Sequence, residues 1–132
     1  VRIPLARSAA AALLRHAPPT ALEIERATEV VEDAVMPARA RLPAALQLAT
    51  ADARLLALAG HAGVRVPAAG EPPAWLPTAA IEQLFNRLAA LAEGRPAAQD
   101  ALPADADSAA TLVLVRELMH HWALPGIGLL AG

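Results

Sequence analysis

The sequence predicts an all-α fold: a single domain over residues 1–132, built as a helical bundle of five to six short helices with a long Pro-rich ordered loop at about 64–77. Three observations carry that reading. The chain is 56% hydrophobic but only 2% aromatic, so its core must come largely from alanine and leucine, both strong helix formers. Twelve prolines cut it into pieces of helix length. Within those pieces the apolar residues recur at i, i+3 and i+4, not at every second position.

The first helix is expected from Pro4 to about His16, with Leu5, Ala9, Ala12 and Leu13 on its inner face and Pro18-Pro19 as the stop. Thr20-Ala21-Leu22-Glu23 is a capping box, and Ile24, Ala27, Thr28, Val31, Ala34 and Val35 then share one stripe of a second helix that ends or kinks at Pro37. Thr50 to Gly60 reads as a further helix, capped by Thr50 and stopped by Gly60. Val64 to Pro77 holds Pro67, Gly70, Pro72, Pro73 and Pro77, so it reads as an ordered loop pinned by Trp75. Thr78 is expected to cap the cleanest amphipathic helix, with Ile81, Leu84, Phe85, Leu88 and Leu91 in one arc and Gly94 and Pro96 at its end. The last helix runs from Ser108 to about Ala123 and is apolar almost all round. An apolar tail, Gly126 to Leu130, follows it and must dock somewhere. Residues 46–50 and 64–66 are left open as short strands.

Composition removes several classes of function. Without cysteine there is no disulfide, thiolate zinc site, iron–sulfur cluster or catalytic thiol. A net charge of −2 gives no overall field toward nucleic acid or an anionic membrane. No uncharged apolar run reaches the ~20 residues of a membrane span. The expected setting is therefore the cytoplasm, with neither nucleic acid nor membrane as partner. Every basic residue is arginine, a bias that suits a GC-rich bacterial genome.

Two constellations carry chemistry. On the second helix Glu25, Glu29, Glu32 and Asp33 gather on one flank, and the like-charge i,i+4 pairs Glu25–Glu29 and Glu29–Asp33 each cost a few tenths of a kcal/mol. They point to a cation or a basic partner, or to a solvated face balanced by Arg39 and Arg41 or by the first helix. On the last helix, Glu117-Leu118-Met119-His120 followed by His121 sets a carboxylate beside imidazoles, as in carboxylate metal bundles. Glu117, His120 and His121, with an acid from the second helix, are thus the metal candidates. No cofactor is expected beyond such a divalent metal.

Other patterns fall short. Ala53 to Val64 has the form of a first helix and turn of a helix-turn-helix unit, but prolines occupy the place of the recognition helix and only Arg65 is near to meet phosphate. Leu48 to Leu55 followed by Ala62 to Val66 resembles the strand, acidic turn, helix and short strand of PIN-type nucleases. The resemblance is confined to residues 48–66, and the opening strand with its metal-binding aspartate has no counterpart near Val1. Asp52 then reads as a first-turn residue. No Ser-His-Asp set or phosphate-cradling glycine loop is present.

The expectation is a non-enzymatic interaction module, self-associating or bound to another protein through Leu114, Leu118, Trp122, Ile127, Leu129 and Leu130. The alternative is a metal- or small-ligand-binding protein, enzymatic or not, using Glu117, His120 and His121. A third reading gives the acidic helix to an arginine-rich partner.

Overall fold

The computed structural model describes residues 4–132. In chain order its elements are α1 (Arg7–Leu13), α2 (Ala21–Ala38), β1 (Ala49–Thr50), α3 (Ala53–His61), β2 (Ala74–Pro77), α4 (Thr78–Ala92), α5 (Ala106–His121) and β3 (Gly126–Leu129). The all-α expectation is corrected: a three-stranded mixed sheet accompanies the helices, so the chain is α/β. The sheet order is β1-β3-β2. β3 runs parallel to β1 and antiparallel to β2, with Ala49 opposite Gly128 and Trp75 also opposite Gly128 from the other side.

The apolar tail is therefore the central strand, and all four of its residues are buried. A central strand buried on both faces is a continuous apolar run without alternation, which is how Gly126-Ile127-Gly128-Leu129 reads. Gly126 is required there: a Cβ would run into the Trp75 ring and lie 2.8 Å from the Leu76 carbonyl oxygen. Trp75 covers that glycine from outside and is itself 55% exposed, so it lies in an edge strand rather than pinning a loop. Pro77 is tolerated in β2 because β2 is an edge. Of the two stretches left open, 49–50 forms a strand and 64–66 does not.

Helix α5 is the axis of the molecule. It packs against α1, α2, α3 and α4, which is why its sequence has no polar side. Leu112, Val113 and Met119 are almost fully inaccessible, and Thr111 and Val115 are buried beside them. Helix α2 lies along it with Ile24, Ala27, Val31 and Val35 of its predicted stripe buried, Thr28 and Ala34 half-buried, and Ala38 buried beyond the stripe. Trp122 seals this contact by donating its indole N–H to the Val35 carbonyl at 2.9 Å, one of the last four carbonyls of α2 that have no partner within the helix.

Local signals at helix ends fare unevenly. The capping box at Thr20 and Glu23 forms as read. Helix α3 is capped by Asp52, not Thr50, and continues through Gly60 to a left-handed Gly63 (φ 78°). Thr78 is the first residue of α4 rather than its cap, and its hydroxyl donates to the Leu124 carbonyl at 2.8 Å. Helix α5 begins at Ala106, ahead of Ser108, with Asp105 as cap. Helix α1 is shorter than expected, because Ala6 adopts a left-handed conformation (φ 63°) that breaks the path from Pro4. It buries Ala10 and is followed by a buried Leu14, whereas Ala9 and Ala12 are exposed. A helix with alanine on every side offers no stripe from which to choose.

Candidate functional site

The acidic residues of this chain divide into two groups. Asp52 pairs with Arg7, Glu71 with Arg65, Glu82 and Glu117 with Arg116, Asp100 with Arg87, and Asp105 and Asp107 with Arg54. Glu23 meets His16 and three backbone N–H groups, and with the Thr20 N–H foremost these hold its carboxyl down to about 2. Among the described residues, the acids with no ion pair are Glu25, Glu29, Glu32, Asp33 and Glu93. All of these but Asp33 line one groove between α2 and α4.

That groove has a volume of about 510 Å³. Its apolar lining comes from Ala21 and Ile24 of α2 and Phe85, Ala89 and Ala92 of α4, with Thr28 beside them. Glu25, Glu29 and Glu32 stand along one wall and Glu93 on the other. At one end Arg116 lies over the Phe85 ring, 4.0 Å from its centre, and is held there by Glu82 and Glu117. Arg26 is the one cation on α2 and, among the described residues, makes no ion pair with these acids. Leu22 and Met36 are 53% and 54% exposed. At about 100° per residue they fall on the same side of α2 as Glu29 and Asp33. The outer side of α2 thus carries Arg26, Glu29 and Asp33 along its middle and an apolar residue at each end.

Next to this groove lies the second constellation. Glu32, Glu117 and His121 each bring one donor atom into a cluster whose members are within 4.8 Å of one another. Glu117 is buried. Its Oε1 accepts from Arg116 at 3.1 Å, and its Oε2 lies 3.2 Å from His121 Nε2. Burial raises the Glu117 pKa, and the nearby Glu32 carboxylate raises it further, against the opposing pull of Arg116 and His121. Of the three residues picked out on α5 by spacing, the structure brings Glu117 and His121 together. His120 is exposed and stays out of the three-donor set, its ring edge-on to His121 with centroids 5.2 Å apart. One residue along a helix rotates the side chain by about 100°, so the two adjacent histidines leave α5 in different directions. The acid from α2 is Glu32, which the sequence offers only as one member of an acidic flank.

The residues expected to form an interface are mostly spent inside the chain. Leu118, Trp122, Ile127 and Leu129 are buried, and Leu114 is half-buried against the core. Leu130 alone is exposed, at 39%. Most of their apolar surface therefore faces neighbouring elements of the same domain. Asp52 accepts from the Leu55 N–H and from Arg7, so it works as a helix cap and ion-pair partner. Among the described residues no helix is long and apolar enough to cross a membrane. Comparisons with known protein families, with curated proteins and with solved structures return no match.

Proposed function

We propose that this domain is a non-enzymatic interaction module that receives a basic amphipathic segment of another protein in the groove between α2 and α4. The observation that carries the reading is the partition of charge. Every described acid outside α2 and the start of the α4–α5 connector has a cation or cap to meet, and of those without one all but Asp33 line a single, partly apolar groove. An amphipathic helix with arginine or lysine flanking an apolar stripe matches it in both respects: its stripe covers Phe85, Ala89 and Ile24, and its cations meet Glu25, Glu29, Glu32 and Glu93. Exposed Leu22 and Met36 extend the apolar contact at each end of α2.

The test uses a synthetic amphipathic peptide of about four turns, with leucine on one face and arginine elsewhere. Binding measured by fluorescence anisotropy is expected to weaken steeply between about 50 mM and 500 mM salt, as a charge-steered contact does. It is expected to be lost in the Glu25→Arg/Glu29→Arg variant and kept in Asp105→Asn, which changes an acid outside the groove. Equal binding of a peptide with glutamate in place of arginine, or binding unaffected by Glu25→Arg/Glu29→Arg, sinks the proposal.

A further inference from the structure

The cluster at Glu32, Glu117 and His121 has the makings of a site on its own account. It joins two elements: Glu117 and His121 stand one turn apart on α5, and Glu32 faces them from α2. A first-row divalent ion binds carboxylate oxygen and imidazole nitrogen at about 2.0–2.2 Å, which places tetrahedral donors about 3.4 Å apart. Glu117 Oε2 and His121 Nε2 are already at 3.2 Å, and the whole set lies within 4.8 Å, so closure on an ion needs little more than rotamer adjustment of Glu32. The cavity beside them, about 260 Å³ and bordered by Thr28 and His120, leaves room for a water in the remaining position.

The surroundings suit an ion as well as the donors do. Arg116 holds Oε1 of Glu117 and so fixes the carboxylate with Oε2 turned toward His121. Such an outer partner is what orients metal-binding carboxylates. Glu32 has no ion pair among the described residues, so two carboxylates share the cluster with one arginine to offset them. Imidazole with two carboxylates favours zinc-like ions over magnesium or calcium, which take oxygen donors alone.

We propose that Glu32, Glu117 and His121 bind one zinc-like divalent cation that fastens α2 to α5. The site shares Glu32 with the groove, but its test requires only metal and protein, so its failure is distinct from failure of the groove to bind a peptide. Untagged, metal-free protein is titrated with Co2+ and followed by visible absorption, then with Zn2+ by calorimetry. One equivalent is expected to bind, with a Co2+ spectrum of low coordination number. His121→Ala and Glu32→Gln are each expected to weaken Zn2+ binding more than about tenfold, whereas His120→Ala leaves it within about twofold. Glu32→Gln is the decisive variant, since Glu32 is only half-buried and has no ion pair among the described residues to lose. No binding tighter than about 100 μM overturns the proposal. So does affinity that Glu32→Gln leaves unchanged, or that His120→Ala abolishes.

Discussion

If the acids of α2 are held for a partner, they should cost the free domain stability, and Glu29→Gln measures that cost. Glu29 sits in the middle of the 18-residue α2, away from both helix ends, so its charge gains nothing from the helix dipole. Its neighbours at i−4, i+3 and i+4 are Glu25, Glu32 and Asp33, and at i−3 it has Arg26, with no ion pair formed among the described residues. Three like-charge neighbours against one opposite leave two unfavourable pairs, each worth about 0.2–0.5 kcal/mol. Glutamine matches glutamate in helix propensity, so Glu29→Gln should stabilise by about 0.4–1 kcal/mol. For a chain of 132 residues, an unfolding entropy of about 2.1 cal/mol/K per residue turns this into a rise in Tm of about 1.5–3.5 °C. Differential scanning calorimetry at low salt, about 20 mM, reads the change directly. In about 1 M salt, where screening acts within about 3 Å, the difference should vanish. A Glu29→Gln variant that is less stable than the parent at low salt would refute the reasoning, because it would mean that the charge is already satisfied within the fold.

Two further outcomes follow from the sheet and the capping box. Gly126→Ala is expected to destabilise by about 1–3 kcal/mol, seen as a lower urea midpoint. Adding Trp75→Ala should recover part of the loss, since the exposed indole can be removed, but not all of it, since the Leu76 carbonyl is backbone; full recovery would show that the side chain alone sets the limit. Glu23 titrates at about 2 in the folded chain, below its ordinary value of 4.5, so its contribution is fully present above pH 4.5 and is lost as pH falls toward 2. The Tm gap between the parent and Glu23→Gln should therefore narrow as pH falls over that window, and a gap independent of pH there would remove the capping account.

What can be read from the sequence follows the range of each interaction. The Thr20–Glu23 box and the stripes of α2 and α4 depend on residues three or four apart, and they appear where the pattern puts them. The sheet depends on pairing β3 with strands far earlier in the chain, and β1 contributes only Ala49 and Thr50, too short for any alternation to show. Helix α5 is legible as apolar on all sides, but an all-round apolar helix looks the same whether its cover is a second chain or its own domain. Here four helices cover it. At the metal cluster, the i,i+4 spacing of Glu117 and His121 is visible in the sequence, and the choice of Glu32 over Glu25 or Glu29 is not. That choice is set by how far α2 slides along α5, which the helical period leaves free.

The burial of α5 moves the functional emphasis from apolar surface to charge. Once Leu118, Trp122, Ile127 and Leu129 are inside, few large apolar residues among the described ones stay exposed, and two of these four, Leu22 and Met36, lie on the outer side of α2. The same helix holds all but one of the acids without an ion pair among the described residues. Its inner side is fully used: Ile24, Ala27, Val31 and Val35 meet the core, and the Val35 carbonyl meets Trp122. Folding therefore explains one side of α2 completely and the other not at all. A surface that combines exposed apolar ends, mutually repelling acids and an apolar groove alongside is unfavourable in isolation on each count. All three become favourable against one kind of partner, a basic amphipathic segment, and that convergence is the physical case for the groove as the working face of this domain.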